Sequence, residues 1–156
     1  MEISLRKAGL EDAATIHEMK VKAFMPLLEK YHDSDTSPAN ESIEKVMTQI
    51  NQSFTDYFII YRLEIAVGAI RVVKKDNRIY RVSPIFIMPE HQGKGIAQKV
   101  LTRVEQIYDD AKLWELDTIL QEEGNCHLYE KKGYKMSGKT KAVNDKMTIV
   151  CYEKHL

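Results

Sequence analysis

The chain has 156 residues, with 23 basic and 23 acidic side chains and a pI near 7.0. This length fits a single domain, residues 1–156, and a hydrophobic content of 44 % can fill one core without disulfides. The charge balance argues against a protein that coats nucleic acid or anionic lipid. No basic leader opens the sequence, and no apolar run reaches the ~20 residues of a membrane-spanning helix. We therefore expect a cytoplasmic protein without a nucleic-acid or membrane partner.

The first part of the sequence predicts one strand followed by two helices. Alternating apolar residues indicate a strand at residues 3–7, and helical spacing of apolar residues follows at 10–24. Pro26 is expected to disturb this helix. A segment rich in turn-forming residues, 31–38, then leads to a second, short helix at about residues 40–51.

The middle of the sequence predicts three consecutive antiparallel strands. Residues 56–63 and 66–73 are rich in aromatic and β-branched side chains and are separated by very few residues, which is typical of a hairpin. A turn at Asp76-Asn77 leads into a third strand, residues 78–87.

A long helix, a strand, a short helix and two strands are predicted for the remainder. Their approximate ranges are residues 95–110, 116–120, 125–132, 134–139 and 146–153. The complete order is β-α-α-β-β-β-α-β-α-β-β. It indicates a mixed α/β class whose first half is largely antiparallel.

The segment IFIMPEHQGKGIA, residues 85–97, carries an apolar strand through a turn with two glycines into the long helix. The first amides of a helix have no internal partners and lie at the positive end of its dipole. Such a turn is suited to a phosphate or pyrophosphate, although it can also be purely structural. A Walker loop is excluded because Ile96 follows Gly95, and a dinucleotide fingerprint is excluded because Gln98 stands at the position of its third glycine or alanine.

Two motifs resemble those of GNAT-type N-acetyltransferases. Residues 92–97, QGKGIA, after the IMP of residues 87–89, resemble the acetyl-CoA signature Q/R-x-x-G-x-G/A. Residues 128–134, LYEKKGY, look like the second hallmark of the family, and residues 5–15 look like its usual first strand and helix. The predicted element order also matches. The resemblance implies the GNAT fold, a mostly antiparallel central sheet of about seven strands flanked by about four helices.

The resemblance also implies acetyl-CoA as cosubstrate and a set of residues that bind it. The main chain of Ile85 and Ile87 is expected to hold the pantetheine arm. The pyrophosphate is expected on the main-chain amides of the glycine turn, namely Gln92, Gly93, Lys94, Gly95, Ile96 and Ala97. The Lys94 side chain either adds a positive charge or is simply solvated.

Asn125 is a further candidate, because it lies four residues before Tyr129 and on the same face of the short helix. It either contacts the pantetheine or caps the helix. The commoner pattern of the family has an asparagine where this chain has Glu122.

The resemblance places Tyr129 at the position of the general acid, where a phenol can return a proton to the departing thiolate. The alternative is a tyrosine that merely packs on the sheet. The oxyanion donor is expected to be the main-chain amide of Ile87, exposed by a splay between the fourth and fifth strands. No general base is assigned, because Arg81 replaces the glutamate of histone-directed members, and Ser83 and Glu123 are ordinary surface or turn residues as readily as proton relays.

The acceptor is expected to be a small molecule with a primary amine. The loop between the first two helices contributes to the acceptor site in the family, and here it holds Glu29, Asp33 and Asp35, which favour a cation such as a polyamine. Lys30 and His32 dilute that charge. The alternatives are a non-catalytic acyl-CoA-binding module, and acetylation of peptides or proteins.

A homodimer is common among similar proteins, although no coiled-coil pattern in this sequence supports one. No metal site is expected. Cys126, His127, Cys151 and His155 do not have the spacing of a standard zinc site.

Overall fold

Seven strands form one sheet, in the order β1-β2-β3-β4-β5-β7-β6, in a computed structural model that describes residues 2–156. The strands are β1 (Ile3–Lys7), β2 (Thr55–Arg62), β3 (Ile65–Lys75), β4 (Ile79–Ile87), β5 (Leu113–Ile119), β6 (Lys135–Ala142) and β7 (Thr148–His155). The four α-helices are α1 (Ala13–Tyr31), α2 (Ile43–Asn51), α3 (Ile96–Ile107) and α4 (Glu123–Lys131). Five neighbouring pairs are antiparallel, and β4 and β5 are parallel. The predicted fold class is therefore confirmed.

The helices cover both faces of the sheet, because successive side chains of a strand point to opposite faces. Along β2, Tyr57 and Ile59 belong to a core cluster with α1 and α2. Phe58 and Ile60 belong to the other cluster, which contains the buried side chains of α3 and α4. Within residues 2–156, no helix combines the length and the apolar character needed to cross a membrane.

The sheet divides between β4 and β5. These strands pair only from Ile79 opposite Leu113 to Val82 opposite Leu116, and beyond that point they separate. The splay that the resemblance implied is thus confirmed. Residues 83–87 of β4 and 117–119 of β5 form the two sides of a gap, which we call the β4–β5 gap.

Helix α1 continues past Pro26 to Tyr31, so the prediction that the helix would be disturbed at this proline is wrong. A proline inside a helix removes the hydrogen bond to the carbonyl four residues earlier, here that of Lys22. Both Pro26 and Lys22 are exposed, so water can satisfy that carbonyl. The additional helical turn carries Leu27 and Lys30 over the β4–β5 side of the sheet, where both line a cavity described below.

Strand β5 begins at Leu113, three residues before the predicted start. Glu115 interrupts the apolar pattern of the sequence, yet it is buried in the structure. Its carboxylate accepts a hydrogen bond of 2.6 Å from Lys75 of β3. A long-range ion pair therefore makes this position compatible with an interior strand.

Gly68 of β3 allows an unusually close approach to β4. A Cβ atom at this position would lie 2.0 Å from the carbonyl oxygen of Phe86, which is a main-chain atom and cannot move aside without moving the strand. Gly68 pairs with Ile87 at the last residue of β4, so this contact positions the end of the strand that borders the gap.

We expect Gly68→Ala to lower the free energy of unfolding by about 1–3 kcal/mol, the usual range for overpacking, because β3 and β4 must move apart. Chemical denaturation measures this difference. Gly124→Ala in α4 is the matched control, since a Cβ there meets nothing within 4 Å and its φ is not in the left-handed region. The control is expected to be as stable as the wild type or slightly more stable. Equal stability of Gly68→Ala and the wild type would contradict this account of the close approach.

Candidate active site

Two cavities meet beside the β4–β5 gap. The first, about 730 Å³, lies between α1, the end of β4, the glycine turn and α4, and we call it the loop cavity. The second, about 370 Å³, lies between the α1–α2 connection, the β4–β5 gap and the β6–β7 hairpin, and we call it the hairpin cavity. Both cavities are lined by the same five side chains at their junction, namely Phe24, Leu27, Ile85, Asn125 and Tyr129. Ligands in the two cavities would therefore meet beside Tyr129.

The glycine turn has a backbone conformation that requires its glycines. Gly93 has φ +75° and Gly95 has φ +77°, in the left-handed region that other residues rarely adopt. A Cβ atom at either position would meet nothing within 4 Å, so the requirement comes from the backbone angles and the space above the turn is open. Helix α3 begins directly afterwards, at Ile96. Open space at a helix N-terminus with two flexible glycines fits a pyrophosphate group.

The structure brings eight of the nine predicted cofactor residues to the loop cavity. They are Ile85, Ile87, Gln92, Gly93, Gly95, Ile96, Ala97 and Asn125. Lys94 lies in the same turn, but it is exposed and does not line the cavity.

The main chain of Ile85 and Ile87 faces the β4–β5 gap. The N–H of Met88 donates to the carbonyl of Val67 on β3 at 2.8 Å. Because hydrogen-bonded and non-hydrogen-bonded pairs alternate in an antiparallel ladder, the N–H and C=O groups of Ile87 and Ile85 point away from β3. In agreement, the carbonyl of Ile87 accepts a hydrogen bond of 2.8 Å from the Gln92 side chain. The orientation expected for a main-chain donor at Ile87 is therefore present.

Tyr129 is a buried side chain at the junction of the two cavities. Its ring lies 6.1 Å from each of the rings of Tyr134, the residue before β6, and Tyr152 of β7, and both rings pack beside it. Burial raises the pKa of Tyr129 to about 12, so the phenol keeps its proton at neutral pH. A protonated hydroxyl in this position can donate to a ligand from either cavity.

Asn125 does not cap helix α4. The N-cap position is Glu122, and the main-chain N–H of Asn125 donates to the Glu122 carbonyl at 3.1 Å, one turn inside the helix. The capping alternative is therefore wrong. The Asn125 side chain lies on the same helix face as Tyr129, and both residues line both cavities.

Comparisons with known proteins agree with this geometry. A model of the acetyltransferase (GNAT) domain matches residues 27–156, which is most of the chain. The chain belongs to the GNAT acetyltransferase family. The predicted acetyltransferase activity and its cosubstrate, acetyl-CoA, are thus confirmed at the level of the family. A comparison with curated proteins found no match.

Several solved structures share the fold of this acetyltransferase. The PaiA N-acetyltransferase from Thermoplasma acidophilum, in complex with coenzyme A, has a TM-score of 0.75 at 19 % identity, over 100 % of both chains. A spermidine N-acetyltransferase from Vibrio cholerae, in complex with CoA and spermine, has a TM-score of 0.77 at 18 % identity, over 98 % of this chain and 95 % of the other. A dodecameric structure of the Vibrio enzyme is also similar.

The ribosomal-protein-S18-alanine N-acetyltransferase from Escherichia coli has a TM-score of 0.78 at 9 % identity, over 99 % of this chain and 94 % of the other. Likeness at such identities establishes the fold only.

No general base is evident at the three positions weighed for that role, which are Arg81, where some members have a glutamate, and the two possible proton relays Ser83 and Glu123. Arg81 donates hydrogen bonds to Asp117 and, at 3.5 Å, to Glu115, so it is engaged in ion pairs on β5. Ser83 lines the hairpin cavity, whereas Glu123 is exposed and lines neither cavity.

The three acidic residues expected in the loop between α1 and α2 differ in position and in burial. The expectation is wrong for Glu29, which lies in the last turn of α1 because that helix continues to Tyr31, and which is exposed and lines neither cavity. Asp35 is also exposed and lines neither cavity, whereas Asp33 is buried and lines the hairpin cavity. In the part of the chain from residue 2 onward, no group of three or more His, Cys, Asp or Glu side chains could hold a metal ion.

Glu122 joins the end of α1 to the start of α4 across the side of the loop cavity. Its carboxylate accepts hydrogen bonds from the Tyr31 hydroxyl and, at 2.7 Å, from the Lys30 ammonium group. Burial by itself raises the pKa of Glu122, but the two hydrogen bonds outweigh burial and hold this pKa below its ordinary value. Sequence reasoning missed this role, because the partners lie more than 90 residues apart and no local pattern connects them.

We expect Glu122→Gln to lower the melting temperature at neutral pH, because the amide loses the charge that Lys30 and Tyr31 contact. The folded-state pKa of Glu122 lies below its unfolded value, so its contribution is complete above the ordinary glutamate pKa of about 4.3 and is lost as the pH falls below it. Thermal unfolding at a series of pH values measures the difference between variant and wild type.

Glu123→Gln is the matched control, because this neighbouring glutamate is exposed. Its melting temperature should follow that of the wild type. A Glu122→Gln variant that also matches the wild type at neutral pH would show that the bridge between α1 and α4 contributes nothing to stability.

Proposed function

We propose that the protein transfers the acetyl group of acetyl-CoA directly to a primary amine of a small molecule in the β4–β5 gap. The observation that carries this proposal is the junction of the loop cavity and the hairpin cavity at Tyr129. A thioester entering from one side and an amine entering from the other can react without a covalent enzyme intermediate. Holding both reactants in one orientation accounts for much of the rate gain in such reactions.

The loop cavity is the proposed site of acetyl-CoA, which supplies an acetyl thioester. The main-chain amides of the glycine turn, residues 92–97, hold its pyrophosphate at the N-terminus of α3. The main-chain N–H and C=O of Ile85 hold the pantetheine arm along β4, the N–H of Ile87 faces the thioester at its end, and Asn125 contacts the arm from α4. These roles depend on the main chain more than on particular side chains.

Two groups act on the reacting atoms. The N–H of Ile87, which points into the gap, donates to the carbonyl oxygen that gains negative charge when the amine attacks. The phenol of Tyr129 gives its proton to the sulfur as the C–S bond breaks and the C–N bond forms. The amine nitrogen loses a proton in the same turnover, and this proton restores the phenol, either directly or through water.

The hairpin cavity supports a small acceptor. At about 370 Å³ it falls in the range of pockets for small molecules. A hydrogen bond of 2.9 Å from the Asn144 side chain joins the β6–β7 hairpin to the carbonyl of Tyr31 at the end of α1. Residues close to both ends of this bond, Asp33 and Val143, line the cavity, so the bond holds two of its walls together. This arrangement favours a small acceptor over an extended peptide. A homodimer and a cytoplasmic location stay predictions, and light scattering of the purified protein measures the first.

We expect Tyr129→Phe to lower kcat by about 100-fold, because general acid catalysis typically contributes 10²–10⁴-fold. Its affinity for acetyl-CoA should equal that of the wild type. Thiol release measures turnover and calorimetry measures binding. Tyr61→Phe is the control, since Tyr61 lines neither cavity and its hydroxyl contacts Arg6 at the surface.

Three results would contradict the proposal in different ways. Full activity of Tyr129→Phe would remove its catalytic role. Binding of acetyl-CoA without turnover of any amine by the wild type would indicate a non-catalytic binding module. A strong preference for peptides over free amines would indicate a peptide or protein acetyltransferase.

The pH dependence provides an independent test. Because the pKa of Tyr129 is raised to about 12, the acid form persists throughout the ordinary assay range. We expect kcat/KM to rise with pH as the amine loses its proton, without a decrease caused by Tyr129 below about pH 11. A decrease between about pH 8 and 9 in the wild type that is absent from Tyr129→Phe would show that the phenol ionises far too early for this role.

A further inference from the structure

We infer that the acceptor carries a second cationic group besides its reacting amine, and that Asp33 binds this second group in the hairpin cavity. The inference rests on the proposed function and deepens it by naming the substrate class. It assigns an aliphatic diamine, or an amine with another cation at its far end, as the acceptor.

Asp33 is a buried carboxylate with one oxygen that lacks a partner. The residue is only 7 % exposed, and it lines the hairpin cavity. Its Oδ2 accepts a hydrogen bond of 3.3 Å from the Thr36 hydroxyl, whereas its Oδ1 is buried without any hydrogen-bond partner among residues 2–156. A buried carboxylate in this state is costly, and a cation that reaches it restores the lost interactions.

The backbone holds Asp33 in place. Its carbonyl oxygen accepts hydrogen bonds from the main-chain N–H groups of Thr36 and Ser37, at 3.0 and 2.8 Å. The terminal torsion of an aspartate is soft, so either carboxylate oxygen can turn toward a ligand in the cavity. The main chain of Asp33 is therefore fixed in position, while its carboxylate can turn to accept a hydrogen bond from a ligand.

The other charged groups of the cavity do not neutralise Asp33. Asp117 of β5 also lines this cavity, but it carries the same negative charge as Asp33 and is paired with Arg81. Lys141 lines the cavity from β6, but it is exposed, and none of the ion pairs found in residues 2–156 joins it to Asp33. Asp33 is thus the buried carboxylate of this cavity that is left for a ligand.

The position of Asp33 indicates a second cation instead of the reacting amine. The reacting nitrogen must be neutral to attack, and contact with a carboxylate would favour its protonated form. Asp33 lines the hairpin cavity but not the loop cavity, whereas Tyr129 lines both. Apolar side chains of the hairpin side, Val143, Met147 and Ile149, also line this cavity and suit a chain of methylene groups.

The test compares acceptors of equal chain length, with the protein of residues 1–156. For a series of α,ω-diamines and n-alkyl monoamines, we expect kcat/KM of the wild type to favour the best diamine by about tenfold or more over its matched monoamine. Asp33→Asn keeps the size of the side chain and removes its charge, and it should reduce this ratio to about one. Asp35→Asn is the matched control, because Asp35 is exposed in the same loop, and it should keep the wild-type ratio.

Equal use of diamines and monoamines by the wild type would overturn the inference, and so would a diamine preference that survives in Asp33→Asn. Turnover and binding measurements together distinguish a failure of this inference from a failure of the proposed function. Turnover of monoamines and diamines alike would refute only the role of Asp33. If no amine is turned over, calorimetry of diamine binding in the presence of CoA still decides the role of Asp33, which predicts weaker binding to Asp33→Asn than to Asp35→Asn.

Discussion

The site depends on the early end of one parallel strand pair. β4 and β5 are hydrogen-bonded over only four residue pairs, after which the sheet opens and main-chain groups of β4 face a gap instead of a neighbouring strand. Polar main-chain groups in an interior need partners, so an opening inside a sheet is a natural place for a ligand with an amide-rich arm. Both cavities border this opening, and Ile85 belongs to the wall of each. The same interruption of the sheet therefore provides the binding surface and the meeting point of the two reactants.

Distant contacts keep the opening in shape. Gly68 allows β3 to lie close against the end of β4, which fixes one edge of the gap. On the outer side, helix α1 continues beyond Pro26, and Glu122 ties its last turn to α4 through Lys30 and Tyr31. Glu122, which stands where the resemblance implies an asparagine, thus has a structural role in this chain. We conclude that the positions of α1 and α4, which wall the loop cavity, are linked by charge as well as by packing.

Patterns of neighbouring residues were enough to predict the elements that depend only on neighbouring residues. The glycine turn could be predicted because two left-handed backbone positions and a following helix are visible in six residues, QGKGIA. The length of α1 could not be predicted from the sequence, because it depends on the solvent exposure of Pro26 and Lys22 in the folded chain. The start of β5 could not either, because the charge of Glu115 is paired with Lys75, forty residues away. The acidic loop was visible, but only the fold distinguishes the buried Asp33 from the exposed Glu29 and Asp35.

The central claim is that the two cavities form one continuous site at Tyr129. Calorimetry with a bisubstrate analogue, in which an acetyl linker joins the sulfur of CoA to an aliphatic amine, tests this claim most directly. If the cavities are continuous, both halves bind at once, and linkage raises the affinity over that of CoA alone by about 100-fold or more. An affinity equal to that of CoA alone would mean that the amine half stays outside the hairpin cavity, and it would contradict a direct transfer between the two cavities.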